Sequence, residues 1–361
     1  MSLLATTSPL SQGRSSPERY PNNLSELAGV VSRTPAVSAV GGQTVNPHGA
    51  DFSPGGSSSG TAAAVEAGLT VVGIGTETSG SLISPASFNG VVGMKPTHGL
   101  VPGEGIIPLL ATQDDAGPVA RTVADAAALL EAMTGGAVRV DTSASGALPG
   151  SRVGVLRAEV ERQRTPLEDT SDNGALLHRA AAALEALGAT CVDVEVADPK
   201  TAQALEKDLV SVVLGGLAHE TMTVLAAAGG PSTVAELQRL NLTDPERRIP
   251  RGQLFVTLSA VRRTTPEAHG AAAAALVERA EVLLEAAFER VGADVLLSLS
   301  TVHWAFYASA GHPAVTVPLG LRSRGMPVGA TLIGRRGADA DVLRWAGSLE
   351  AATRARVTPA L

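Results

Sequence analysis

Gly75-Thr-Glu-Thr-Ser-Gly-Ser81-Leu-Ile-Ser84-Pro85 and, upstream of it, Ser53-Pro-Gly-Gly-Ser57-Ser58-Ser59-Gly60-Thr61 are two serine–glycine loops separated by one helix–strand unit. Ala62–Ala67 reads as the helix. Leu69–Ile74, short, apolar and partly β-branched, reads as a buried strand. Loops placed this way can converge at one end of a sheet.

Outward from this pair, strands and helices alternate. Thr122-Val-Ala-Asp125 fits a capping box: the Thr hydroxyl serves a free N–H of the first turn and the Asp returns to the cap's own N–H. The helix it opens runs from Val123 to about Thr134 and stops at Gly135-Gly136. After a Gly/Ser/Ala linker at 135–151 come strand Arg152–Leu156, helix Thr170–Leu187 and strand Cys191–Val196. A mostly helical stretch follows from Thr201 to Leu240, then a polar segment, Thr243–Gln253. Helix Pro266–Val291, strands Asp294–Leu299, Ala314–Pro318 and Pro327–Ile333, and helix Asp339–Ala352 complete the count. Such alternation predicts an α/β sheet covered on both faces. Residues 1–22 read as a disordered leader and 23–361 as one domain.

Composition narrows the function. Of 361 residues 44% are hydrophobic and only 2% aromatic, so the core is built from Ala, Val and Leu. With Lys+Arg 28 against Asp+Glu 35 the net charge is −7, which argues against binding nucleic acid or an anionic membrane. The one cysteine, Cys191, forms no internal disulfide and suits a cytoplasmic location; in its strand-like run it reads as a small core residue. No Cys/His cluster suggests a zinc site. The start has no long apolar run for a signal peptide, and Ala62–Ile74 carries Glu66 and two glycines, so it does not span a membrane.

Read alone, Gly-Gly-Ser-Ser-Ser-Gly is a glycine turn capping a helix. Gly56-x-Ser58-x-Gly60 satisfies the nucleophile-elbow pattern, but that elbow needs a strand immediately before it, and Phe52-Ser-Pro-Gly is not one. As a phosphate loop it lacks the following lysine. The second loop extends the pattern. Gly55 to Gly60, Gly75 to Ser81, Asn89-Gly-Val-Val-Gly-Met-Lys95-Pro-Thr97, Gly105-Ile-Ile-Pro108 and Gln113-Asp114-Asp-Ala-Gly-Pro118-Val-Ala-Arg121-Thr-Val-Ala-Asp125 together resemble the amidase signature family. The Thr-Glu-Thr form and Ala39-Val-Gly-Gly-Gln-Thr44 look most like its peptide-amidase branch. The likeness returns in Gly311-His-Pro-Ala-Val-Thr-Val-Pro318 and Gly325-Met-Pro-Val-Gly-Ala330.

That resemblance implies a twisted mixed sheet between helices, with catalytic loops at one rim and no cofactor or metal. It implies a Ser–cis-Ser–Lys triad that cleaves the C–N bond of a small neutral amide. Ser81 matches the nucleophile and Ser57 the bridging serine, held by a cis peptide. The backbone N–H groups of Thr78, Ser79, Gly80 and Ser81 match the oxyanion hole. A serine hydroxyl needs a base to take its proton during attack, which a neutral lysine supplies through the bridging serine. Ser58 and Ser84 are candidate substrate-binding residues. Ser84 stands where some members carry an arginine for a substrate carboxylate, so no strong preference for anionic acyl groups is expected. Specificity is expected from Pro199–Arg263, where the likeness is poorest and where Arg247, Arg248 and Arg251 either line a mouth or solvate a loop. Asp114 and Arg121 are expected to tie loops together. Homodimers are common in such enzymes, though nothing in the sequence shows one, and no glutamine-channel partner is evident.

The base is the departure. Its segment would lie so far upstream of Ser57 that the position falls before Met1, so the family's front portion is expected to be missing. The three lysines are Lys95, Lys200 and Lys207. Lys95 matches a structural Lys-Pro-Thr; the other two sit on a polar stretch. The expectation is therefore a weak or inactive hydrolase, with a non-catalytic binder of a small amide or a protein as the alternative. The rival chemistry is a Ser58–His–Asp triad using His303 or His312.

Overall fold

The computed structural model describes residues 36–39, 41–140, 148–165 and 169–360. The leader expected at 1–22 and residues 141–147 of the expected linker lie outside them. A two-stranded hairpin comes first, β1 (Val37–Ser38) and β2 (Gly42–Gln43). The remaining strands are β3 (Val72–Glu77), β4 (Val92–Lys95), β5 (Asp115–Ala120), β6 (Arg152–Val155), β7 (Thr190–Asp193), β8 (Val295–Leu299), β9 (Ala314–Leu321) and β10 (Pro327–Ile333). They form one mixed sheet in the order β3-β5-β4-β9-β10-β8-β6-β7. β6 runs parallel to β7 and β8; the other pairs are antiparallel.

Alternation along β8 shows why both faces are covered. Val295, Leu297 and Leu299 join a core with the helices Val123–Met133, Asn173–Ala186 and Asp339–Thr353. Leu296 points the other way, into a core with Pro199–Gly216 and Pro266–Val291. A period of two on a strand serves two faces at once. On that second side a smaller cluster seats α1 (Ser59–Glu66) and α2 (Ile83–Asn89). The run Pro199–Ala227 is long and apolar enough to cross a membrane by length and composition, but Leu205, Leu209, Val212, Val213 and Leu217 are buried in the core.

The expected elements are present, with shifted ends. The strand expected at Leu69–Ile74 begins at Val72, because Leu69 and Val71 are exposed to 81% and 61%. In the capping box Thr122 Oγ1 accepts from the N–H of Asp125 (3.1 Å) as expected. The Asp125 carboxylate, however, accepts from the Thr122 hydroxyl (2.7 Å), not from the cap's own N–H. Beside the two serine loops, α2, β4 and β5 have no periodic signal. Pro118 inside β5 reads as a breaker. The structure accommodates it, because β4 pairs with β5 only at Val119 and Ala120 and leaves before an N–H from Pro118 would be needed.

β3 is an edge strand, and hydroxyl groups cover it. Thr70 donates to the carbonyl of Val72 (2.8 Å), Thr61 to that of Ile74 (3.2 Å) and Ser58 to that of Thr76 (3.1 Å). Ser58 Oγ also accepts the N–H of Thr76 (3.0 Å). Carbonyls occupied in this way do not template pairing with another chain.

One buried group makes stability depend on pH. His312 Nδ1 donates to the carbonyl of Gly334 (2.8 Å), and burial pushes its pKa down from 6.5 to about 4. Lys95 and Arg336 push the same way. Glu285 lies 3.6 Å from Nε2 but is itself paired with Arg335. A depressed histidine pKa means the unfolded chain binds the proton first as pH falls. The contribution is therefore intact above pH 6.5 and lost by pH 4. A shift of that size corresponds to about 3 kcal/mol. Buried Asp114, whose pKa is raised to about 7, slopes the opposite way over the same range, so the acid slope of His312 is expected as the difference between the native chain and His312→Asn in urea unfolding. Equal slopes in both would remove His312 as the cause.

Candidate active site

The loop after β3 is braced from inside. Glu77, the last residue of β3, turns its carboxylate back beneath the loop, and Oε2 accepts the N–H groups of Leu82 (2.9 Å) and Ile83 (3.0 Å) at the start of α2. It thereby supplies the cap that Leu82 cannot. Burial pushes the Glu77 pKa up, opposed chiefly by these two N–H groups. Thr78 donates its hydroxyl to Asp114, whose other oxygen accepts from Leu109 (2.6 Å) and Leu110 (2.8 Å). Burial raises the Asp114 pKa to about 7, against the pull of those three donors.

Gly80 has φ +84°, a left-handed backbone open to glycine. The turn leaves the N–H groups of Thr78, Ser79 and Ser81 without a backbone acceptor among the described residues. Gly80's own N–H is drawn toward the Glu77 carboxylate. Successive unpaired amides at the start of a helix form a concave donor set for an anion.

The first serine loop closes against this one. Gly55, at φ +67°, packs so tightly on α2 that a Cβ there would meet Pro85 Cα at 2.7 Å. Ser53 Oγ accepts the Gly55 N–H (3.1 Å), and Ser59 Oγ donates to the Gly55 carbonyl (2.7 Å). The Gly56–Ser57 peptide is cis. The next N–H, that of Ser58, donates to the carbonyl of Ser81 (3.0 Å). Ser57 is thus joined through its neighbour to the residue matched to the nucleophile. Ser81 is 6% exposed; Ser57, Ser79 and Ser84 are half-buried. Ser84 lies one turn on, its N–H on the carbonyl of Gly80 (2.9 Å).

Other candidates are committed elsewhere. The Ser58 hydroxyl is buried and bound on both sides by the backbone of Thr76, which removes it as nucleophile and as substrate contact. His303 pairs its Nδ1 with Ser298 Oγ (2.7 Å) and faces Glu159 with Nε2 (3.7 Å), while His312 binds Gly334. The Ser58–His–Asp rival therefore has neither its serine nor its histidine available. Ser58→Ala is expected to cost about 1–3 kcal/mol by leaving backbone groups of Thr76 unpaired, with Ser81 in the folded fraction still open to covalent labelling. Loss of that labelling at unchanged stability would revive Ser58.

Lys95 is fully buried, 2.7 Å from Asp115, and donates to the carbonyls of Pro96 (2.8 Å) and His312 (3.3 Å). A lysine so held is a structural cation. Lys200 and Lys207 are exposed on the helix Pro199–Gly216. Arg121 donates to the carbonyls of Val65 and Thr70 (both 2.8 Å) and, like Asp114, ties loops together. Arg247 and Arg251 hold the β1–β2 hairpin through Ala39 and Gln43, beside a cavity of about 570 Å³. Burial raises the Cys191 pKa to about 11, which suits an unreactive thiol. Sequence reasoning missed the brace formed by Glu77 and the packing of Trp304 on Gly80. The Thr-Glu-Thr motif held a signal for the first only, as an acid placed just before a run of unpaired amides.

The Amidase family's sequence model matches residues 22–343. The chain belongs to the amidase signature family. Among solved structures, the peptide amidase from Stenotrophomonas maltophilia superposes on this amidase-family chain with TM-score 0.77 at 33% identity, covering 90% of this chain and 70% of that one. An amidase family protein from Bacillus anthracis gives TM-score 0.77 at 28% identity, covering 90% and 65%. The A-type subunit of the glutamyl-tRNA(Gln) amidotransferase of Cereibacter sphaeroides is 32% identical over 354 residues, 86% of this chain and 70% of that protein. As a member of this family, the chain has the two-faced helical cover that its alternating elements predict and the mixed sheet that the resemblance implies.

Proposed function

We propose that this chain acts on the C–N bond of a small neutral amide, with Ser81 as nucleophile and Ser57 as the bridging serine. The observation that carries the reading is the hydrogen bond from the Ser58 N–H to the Ser81 carbonyl, which ties the two serine loops together beside unpaired amides. In this reading the Ser81 hydroxyl turns to Ser57, and as Ser81 Oγ attacks the carbonyl carbon its proton passes to Ser57, which hands its own proton on to a base. The carbonyl oxygen gains charge opposite the N–H groups of Thr78, Ser79 and Ser81, with Gly80 shaping the turn. Each such donor is worth about 3–4 kcal/mol. The proton returns to the leaving amine, and water releases the acyl group from Ser81.

The terminal base is the part that the three lysines do not supply, since Lys95 is locked to Asp115 and the others are exposed on the helix Pro199–Gly216. A relay lacking one member loses about 10⁴–10⁶ in kcat. Slow turnover is therefore expected from this chain, and the same observation favours a second reading, an amide-binding protein without turnover. A cytoplasmic location and action on a free small molecule, with no nucleic acid or membrane as partner, complete the proposal. Homodimerisation stays a family expectation.

Ammonia release from a neutral primary amide, measured with no partner protein added, tests the reading directly. Slow release that disappears with Ser81→Ala supports hydrolysis. Amide binding with no release favours the second reading, and a requirement for an added partner protein would favour an amidotransferase role.

A further inference from the structure

Gly80 has a neighbour that the proposed reaction does not use. A Cβ at Gly80 would lie 3.3 Å from Cβ and 3.7 Å from Cγ of Trp304, so this tryptophan stands directly against the turn that carries the amides. It belongs to a short helix, Trp304–Tyr307, and packs on the cluster that includes Ile83, Leu109 and Tyr307. Ile83, the second residue after Ser81, is fully buried in that cluster, so the tryptophan packs on the same core that anchors the Ser81 loop. Yet Trp304 is only half-buried. Its indole N–H has no acceptor among the described residues and is not shut away from solvent. Tryptophan normally completes such a contact by burying its ring and finding an acceptor. The titratable groups bonded into the loop, Glu77 and Asp114, are both acids and bring no positive charge to pair with an anionic substituent.

We infer that Trp304 is a specificity-determining residue, an aromatic wall that selects amides with a bulky apolar group next to the scissile carbonyl over small aliphatic amides. This rests on the hydrolase reading for the position of the carbonyl, but its test does not need turnover. Ring burial against an apolar substituent distinguishes such ligands by about tenfold or more. The chain has two tryptophans, and Trp345 is buried in the core on the opposite face of the sheet. Trp345→Phe therefore leaves Trp304 as the only indole reporter.

The experiment titrates the Trp345→Phe protein with 3-phenylpropanamide and with propanamide, following tryptophan emission. The phenyl amide is expected to change the emission and to bind at least about tenfold more tightly. Trp304→Ala, read by calorimetry, is expected to bring the two affinities to within about threefold; Trp304→Leu serves the same purpose if the alanine variant does not fold. Trp304→Phe is expected to retain the preference. An unchanged affinity ratio in the alanine or leucine variant, or emission indifferent to a bound phenyl amide, overturns the inference. Failure of the hydrolase reading shows separately, as absence of covalent fluorophosphonate labelling at Ser81 in folded native protein.

Discussion

Ser81→Ala abolishes covalent modification by a fluorophosphonate and removes whatever amide turnover the native chain shows: that is the largest functional effect expected of any single substitution here. The nucleophilic oxygen is lost outright, so no covalent adduct can form at this position; members of a cooperating set are not additive, so with the base already missing the loss is read in the label and in the disappearance of slow release. The fold should not suffer. The Ser81 hydroxyl makes no hydrogen bond among the described residues, whereas the backbone contacts that join the two loops, Ser58 N–H to Ser81 carbonyl and the Glu77 cap on α2, survive the change. Stability is expected to stay within about 0.5 kcal/mol. Peptide mapping of the labelled native protein by mass spectrometry locates the adduct. A label on another serine, or one that persists in Ser81→Ala, sinks the assignment of the nucleophile.

The largest structural effect is expected at Gly117, in the middle of β5. A Cβ there would stand 1.9 Å from the carbonyl oxygen of Met94, 2.8 Å from Leu82 Cδ1 and 3.0 Å from Pro96 Cδ. The first of these is main chain on the neighbouring strand, so no side-chain rotation relieves it. β4 and β5 would have to separate beside the loop that carries Ser81. Gly117→Ala is expected to destabilise the protein by more than about 3 kcal/mol, at or beyond the upper end of overpacking in a core. Gly103→Ala is the control: nothing lies within 4 Å of its Cβ position, and its change should be within about 0.5 kcal/mol. Urea unfolding of both variants gives the comparison; equal stabilities would mean that the two strands have slack the packing does not suggest.

Where local chemistry and regular period agree, the sequence is legible. Pro266–Val291 has the ends its residues predict, with Thr265 as its cap and Gly292 at φ +60° beyond it. β10 likewise has both of its predicted ends. Legibility fails where long-range contacts replace local preference. β5 holds a proline and a glycine in six residues, and it is a strand because β3 pairs along its whole length while β4 leaves in time. α2 begins at an apolar residue with no capping side chain of its own, because Glu77 reaches back from the preceding strand. The site follows the same division. Ser57, Ser81 and the amide run are legible as residue types, whereas Ser58, chemically identical to its neighbours, is separated from them only by its bonds to Thr76.

The sequence by itself therefore determined the α/β class, the two loops and the residue types that can do chemistry there, because hydrophobic period, turn glycines and hydroxyl content are properties of short segments. Only the tertiary structure decided that the Ser58 hydroxyl is bound to Thr76, that Lys95 is locked to Asp115, and that Trp304 packs on the Gly80 turn. Each of those depends on a partner distant in the chain, and a partner's position is fixed by packing of the whole sheet.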